Sequence, residues 1–150
     1  MSEHHPIPVT TLLPAVGRLL AAGRCVRILA EGTSMLPALR PGIDSVTIAA
    51  PEGKKLRRLD ILLALDPATG RYILHRVARP PRRGFVSLRG DANLVISETL
   101  PISSVIGVVT AIHRPGRPDA SPRTFRARLW LLTRPLRRVI AALRSRILTG

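Results

Sequence analysis

Residues 30–42, AEGTSMLPALRPG, set Ser34 in a tight turn: Gly32 permits backbone angles that other residues avoid, and Pro37 stiffens the exit. A serine held there can present both its hydroxyl and its backbone N–H to a substrate carbonyl. CVRILA, which alternates like a strand, leads into the turn. Downstream, DSVTIAA (44–50), DILLALD (60–66), RYILHRV (71–77), GFVSLRG (84–90) and ISSVIGVVTAI (102–112) also read as strands. PEGKK, DPATG, RPPRRG and GDAN separate them as turn signals. Short strands at this rhythm predict a mainly β fold, a closed or half-closed barrel rather than a layered α/β protein.

The flanks are helical. TTLLPAVGRLLAAGR sets Leu12, Leu13, Val16, Leu19 and Leu20 at helical spacing, with Thr10 or Thr11 as a cap and Gly23 as the stop. Residues 1–9 read as a flexible tail and 10–113 as the main domain. The Pro-rich stretch 114–123 reads as a linker, and 124–150 as a basic amphipathic tail. In that tail Leu136, Val139, Ile140, Leu143 and Ile147 share one helical face. Arg137, Arg138, Arg144 and Arg146 crowd the other, and Pro135 suits the first turn.

A chain of 150 residues with 45% hydrophobic content is long enough for one modest core. With aromatics at 3%, that core must be aliphatic. The net charge of +15 is the outlier and favours polyanionic partners, nucleic acid or anionic lipid. Tyr72, Phe85, Phe125 and Trp130 are too few and scattered for a base-stacking platform, so no specific nucleic acid is expected. The tail, with Trp130 and its apolar face, is a candidate for an anionic membrane surface. No apolar run approaches the ~20 residues of a membrane span, and MSEHHPIPVT lacks the pattern of a signal peptide. A cytoplasmic or peripheral location is expected. The lone Cys25 allows no internal disulfide, and His4, His5 and His113 have no ligand spacing, so no metal or cofactor is expected.

Serine needs a base to become a nucleophile, and the base needs an orienting partner. His75 shares a strand face with Ile73 and Val77. On its own it reads as a core histidine bonded to a backbone carbonyl. Asp91, on its own, is ordinary turn chemistry.

Taken in order, these pieces resemble the signal peptidase I and LexA-type serine protease superfamily over residues 27–112. GTSMLPALRPG is similar to the nucleophile box, RLDILLAL to the strand that follows, ILHRV to the base box, and LRGDAN to the Gly-Asp-Asn box, ahead of PISSVIGVV. Lysine fills the base box in bacterial signal peptidases and LexA-type proteins, and histidine fills it in the archaeal and endoplasmic-reticulum type. With His75 at the matching position, the chain resembles the latter more closely. The resemblance implies a signal-peptidase-like coiled β half-barrel, with Ser34 as nucleophile and His75 as general base. It implies that Asp91 orients the imidazole or supports the site, with Gly32, Thr33, Met35 and Asn93 around the oxyanion. The implied activity is peptide-bond hydrolysis in extended segments, after small residues.

The chain also departs from the pattern. Gly32 stands where the family commonly has a hydroxyl residue, with Thr33 as a substitute donor. Arg58-Leu59-Asp60 replaces a Gly-Asp, and after GDAN, where the archaeal type often has a further aspartate, the nearest acid is Glu98. Two alternatives follow: a weak or inactive homologue that binds peptides, and a LexA-type protein cutting itself at Ala22–Gly23.

Overall fold

The computed structural model describes residues 9–94 and 97–148, so the tail expected over residues 1–9 falls almost wholly outside the described residues. Helix α1 (Val9–Ala21) precedes strands β1 (Val26–Leu29), β2 (Ser45–Ala49), β3 (Ile61–Leu65), β4 (Tyr72–Arg82), β5 (Phe85–Arg89), β6 (Glu98–Pro101) and β7 (Val105–His113). Helices α2 (Phe125–Leu132) and α3 (Arg134–Leu148) close the chain. The protein is mainly β. One seven-stranded sheet runs in the order β1-β2-β7-β3-β4-β5-β6, every neighbour antiparallel.

β3 sits at the centre of that order, which explains its unbroken apolar run: both faces are covered. Ile61 and Leu63 point into a cluster with Leu13, Val16 and Leu20 of α1 and with Met35 and Leu39 of the serine loop. Leu62 and Ala64 point the other way, against Val77, Val86, Leu88 and Val108. The period-two pleat of one strand thus seeds two cores.

α1 begins at Val9, so Thr10 and Thr11 lie within its first turn rather than capping it. Its end matches the sequence. Gly23 takes φ +75°, its N–H donates to the Leu20 carbonyl, and the Arg24 N–H donates to that of Leu19. That double closure is a Schellman cap. Only part of the apolar stripe reaches the core: Leu13, Val16 and Leu20 are buried, while Leu12 and Leu19 remain exposed.

Three boundaries differ from expectation. β4 does not stop at Val77 but continues through Pro80 and Pro81 to Arg82, with register shifts that accommodate the prolines. Arg82 pairs with Phe85 across a two-residue turn in which Arg83 and Gly84 both have positive φ, as a type I′ hairpin requires. ETLP forms a short strand that sequence reading passes over, because a proline ends it and only Leu100 is buried. Residues 102–104, expected as strand, make a 3₁₀ turn before β7. The expected linker is not loose either: Ala120 bridges Ile112 of β7.

Gly107 of β7 lets α1 approach the sheet. A Cβ there would stand 2.3 Å from Ile48 Cγ2 and 2.9 Å from Leu20 Cδ1. Gly17, facing the same strand from the helix, has room, since its Cβ would meet Ile106 Cγ2 at 3.8 Å. Gly107→Ala is expected to destabilise the fold by about 1–3 kcal/mol, whereas Gly17→Ala stabilises it by up to about 1 kcal/mol through helix propensity. Urea unfolding of the two variants against wild type checks the opposite signs.

Candidate active site

Backbone hydrogen bonds build the loop that carries Ser34. The Ala30 N–H donates to the Asp44 carbonyl and the Gly42 N–H to that of Ala30, which pins the two ends of residues 30–44 together. Within it the Leu36 N–H donates to Thr33 O and the Leu39 N–H to Met35 O, while Met35 and Leu39 anchor the turn in the core. Gly32 has φ +72°, a left-handed conformation that glycine adopts without strain. Asp44, fully buried, receives the Arg40 N–H at 2.9 Å and the Arg40 guanidinium at 2.7 Å. Burial alone would raise the Asp44 pKa. The side-chain and backbone hydrogen bonds from Arg40 and the nearby Arg114 charge outweigh it and hold the carboxyl below the usual carboxylate range.

His75 comes from the middle of β4, opposite Leu62 of β3, and is buried. Its Nε2 lies 3.0 Å from Ser34 Oγ. Its Nδ1 lies 3.0 Å from Glu98 Oε2 on the edge strand β6. With Glu98 ionised and the imidazole neutral, the tautomer that suits both contacts has its proton on Nδ1 facing Glu98 and leaves the Nε2 lone pair to accept from the Ser34 hydroxyl. Three side chains distant in sequence thus form one hydrogen-bonded series: hydroxyl, imidazole, carboxylate. A hydroxyl with a base on one side and an oriented imidazole behind it can act as a nucleophile.

Asp91 does not reach the imidazole. Its carboxylate takes the Arg76 guanidinium in a fork, Nε at 2.8 Å and Nη2 at 2.8 Å, and both side chains are buried. The contact to the imidazole expected of Asp91 is made by Glu98, and Asp91 pairs with Arg76 behind the serine loop. The physical reason is alternation: His75 and Arg76 are neighbours on β4 and point to opposite faces, and the carboxylate follows the arginine. The support is concrete. The Ala92 N–H donates to Ser34 O at 2.9 Å, and the Asn93 N–H closes on Gly90 O. Gly90 packs so tightly that a Cβ there would stand 2.5 Å from Ser34 O and 3.0 Å from both Ser34 Cβ and Asn93 Nδ2. Met35 is core, and Thr33 is exposed beside the serine.

Arg76 is the residue that sequence reading missed. Its Nη1 also donates to the carbonyls of Leu59 at 2.7 Å and Pro122 at 2.6 Å. Leu59 has φ +81°, a left-handed backbone that L-residues rarely adopt. The C-terminal segment docks on the same spot. Trp130 Nε1 donates to the Asp91 carbonyl at 3.2 Å, Arg123 pairs with Asp60 at 2.5 Å, and Arg137 stacks 3.5 Å over the Trp130 ring. No family model, curated protein or solved structure matches the chain.

Asp91→Asn is expected to cost about 3–5 kcal/mol, because it leaves the Arg76 charge buried without a counterion, whereas Glu98→Gln, on an edge strand and only partly buried, costs under about 1 kcal/mol. Chemical denaturation of the pair separates the supporting carboxylate from the orienting one. Asp44 gives a pH prediction. Its folded pKa is lowered, so its contribution to stability is complete above the unfolded value near 3.8 and is lost as the pH falls through the lowered folded value. Asp44→Asn therefore loses stability at neutral pH, and its deficit against wild type shrinks below about pH 4. Melting temperatures across that range measure it.

Proposed function

We propose that this chain is a serine endopeptidase of the signal-peptidase-like type, with Ser34 as nucleophile, His75 as general base and Glu98 orienting the imidazole. The observation that carries the reading is the series Ser34 Oγ–His75 Nε2–Glu98, with both spacings at 3.0 Å. The four ordered sequence boxes add to it. The sheet, with Ser34 on the loop between β1 and β2, is compatible with a coiled half-barrel.

In the reaction, Ser34 Oγ attacks the scissile carbonyl carbon while its proton passes to His75 Nε2. The Nδ1–H stays on the imidazolium, held by Glu98. Negative charge collects on the carbonyl oxygen, where the Ser34 N–H, with Thr33 beside it, is the donor. Collapse breaks the C–N bond, and the imidazolium gives its proton to the leaving amine. Water, deprotonated by the same imidazole, then releases the acyl group and restores Ser34. By the resemblance, the substrate is an extended segment with small residues such as alanine before the cut; β1, an edge strand that runs on toward the serine loop, can pair with an added strand. The Ala22–Gly23 bond lies in the hydrogen-bonded cap of α1, which favours a separate substrate over cleavage in cis.

The reading extends to a surface. α3 leaves Leu136, Val139, Ile140 and Leu143 exposed on one stripe with Arg138 and Arg144 exposed on the same helix, the pattern of a helix that lies on anionic lipid. No helix among the described residues is long and apolar enough to cross a membrane. A second reading, a peptide-binding module without turnover, is favoured by Gly32, which offers no hydroxyl to the oxyanion; loss of one such donor costs ~10²–10³ in rate.

Wild type is expected to take one serine-reactive phosphonate, read by intact mass, and to cut peptides containing Ala-x-Ala after alanine. Ser34→Ala and His75→Ala should show neither, and Glu98→Gln should slow both by up to about 10⁴-fold, the loss seen when the orienting carboxylate of a serine triad is neutralised. An unlabelled, fully folded wild type would overturn the protease reading in favour of the binding module.

A further inference from the structure

Against the Arg76–Asp91 pair lies a cavity of about 310 Å³ between β4, β5 and the start of α3. Arg58, Arg79, Arg89, Arg134 and Arg138 line it. Asp91 is the sole acid among its lining residues, and both its oxygens face Arg76. Five guanidinium groups therefore share one concavity without a carboxylate of their own among the described residues. Proteins do not gather like charges in a half-enclosed space without cost, and the cost is visible. The Nε atoms of Arg89 and Arg134 are buried and have no hydrogen-bond partner, each a donor deprived of water and acceptor alike. Burial first, then the charges of Arg89, Arg137 and Arg58, push the Arg134 pKa down, with Asp91 alone opposing them.

We infer that this cavity is a binding site for a phosphate-bearing anion. Phosphate fits better than a carboxylate because its charge and its several acceptor oxygens can engage more than one guanidinium fork at once. Arg134 and Pro135, in the first turn of α3, form part of the wall. A bound phosphate satisfies the orphaned Nε donors and cancels the repulsion that the free protein carries. The site stands whether or not Ser34 cleaves peptides, because none of its residues belongs to the Ser34–His75–Glu98 series. The phosphate can come from a soluble ester or from the headgroup of an anionic lipid, since the exposed stripe of α3 begins at Leu136, next to the wall.

The test uses the full chain, a double variant Arg89→Gln/Arg134→Gln, and a charge-matched control, Arg24→Gln/Arg71→Gln, whose residues lie outside the cavity. Because like charges are relieved, the cavity variant is expected to melt higher than wild type in chloride buffer, while the control does not. Sodium pyrophosphate, followed by calorimetry and by thermal shift, should bind wild type and control alike and bind the cavity variant at least about tenfold more weakly. Should pyrophosphate bind none of them, cosedimentation with vesicles of equal parts phosphatidylcholine and phosphatidylglycerol decides. Retention of wild type and control with loss of the cavity variant assigns the site to the lipid headgroup. Equal losses in cavity variant and control, or no binding to either probe, would mean only net charge and would overturn the site.

Discussion

The buried ion pair between Arg76 and Asp91 is the constraint on which the rest depends. A guanidinium with five N–H donors can tie several chain segments at one point, and Arg76 does so: it holds the Asp91 turn, the Leu59 carbonyl and the Pro122 carbonyl. Each belongs to a different stretch of chain, so one charge sets the register of the serine-facing turn, the approach to β3 and the C-terminal segment. Such a pair is weak as a source of net stability, because desolvation offsets most of its Coulomb energy. Its value is geometric. Once both charges are buried, any arrangement that separates them is strongly disfavoured, and the Ala92 N–H is left fixed against Ser34 O.

β4 thereby does two jobs with adjacent residues. His75 faces the serine and Glu98; Arg76 faces the scaffold and the arginine-lined cavity. The pleat permits this because successive side chains leave a strand on opposite sides. The imidazole cannot drift without moving the arginine beside it, and the arginine is held by four hydrogen-bonded partners' atoms across three segments. The imidazole is positioned by backbone it shares with a buried, five-times hydrogen-bonded arginine.

Much of this was legible in residue order. The strand-like runs, the glycine stop of α1 and the Ser34 turn each rest on a local signal: alternation, a positive-φ glycine, a proline. Glu98 carried only a weak signal, an acid near where the resembled pattern has one, and its strand was hidden because four residues with a single buried side chain give no period. Asp91 carried a stronger signal, through its place in GDAN, yet the geometry gives the imidazole to Glu98. Local sequence could not decide between the two carboxylates, since the choice depends on which face of β4 each turn reaches. Arg76 gave no signal at all: among 24 basic residues, one buried guanidinium looks like any other until the chain folds over it. The C-terminal stretch was legible as amphipathic, but its break into two helices at Thr133, and the return of Trp130 to the Asp91 carbonyl, depend on tertiary contact.

Hydrogen-bond connectivity by itself does not make a site, and the molecule contains its own control. Thr47 Oγ1 lies 2.7 Å from His113 Nε2, and His113 Nδ1 lies 2.6 Å from Asp119, the same hydroxyl–imidazole–carboxylate order found at Ser34. Thr47, however, sits inside β2 between β1 and β7, with its backbone committed to ladder pairing on both sides. A carbonyl carbon brought to its hydroxyl would find no turn to approach and no amide aimed at the developing charge. Ser34 differs in its backbone: it stands on a turn entered through Gly32 at φ +72°. Asp119 is largely exposed to water, whereas Glu98 keeps only about a quarter of its side-chain surface, so its charge is the better insulated and acts more strongly on the imidazole. What separates the two series is not the contacts but the backbone that carries them, and that backbone is what the Arg76–Asp91 pair fixes.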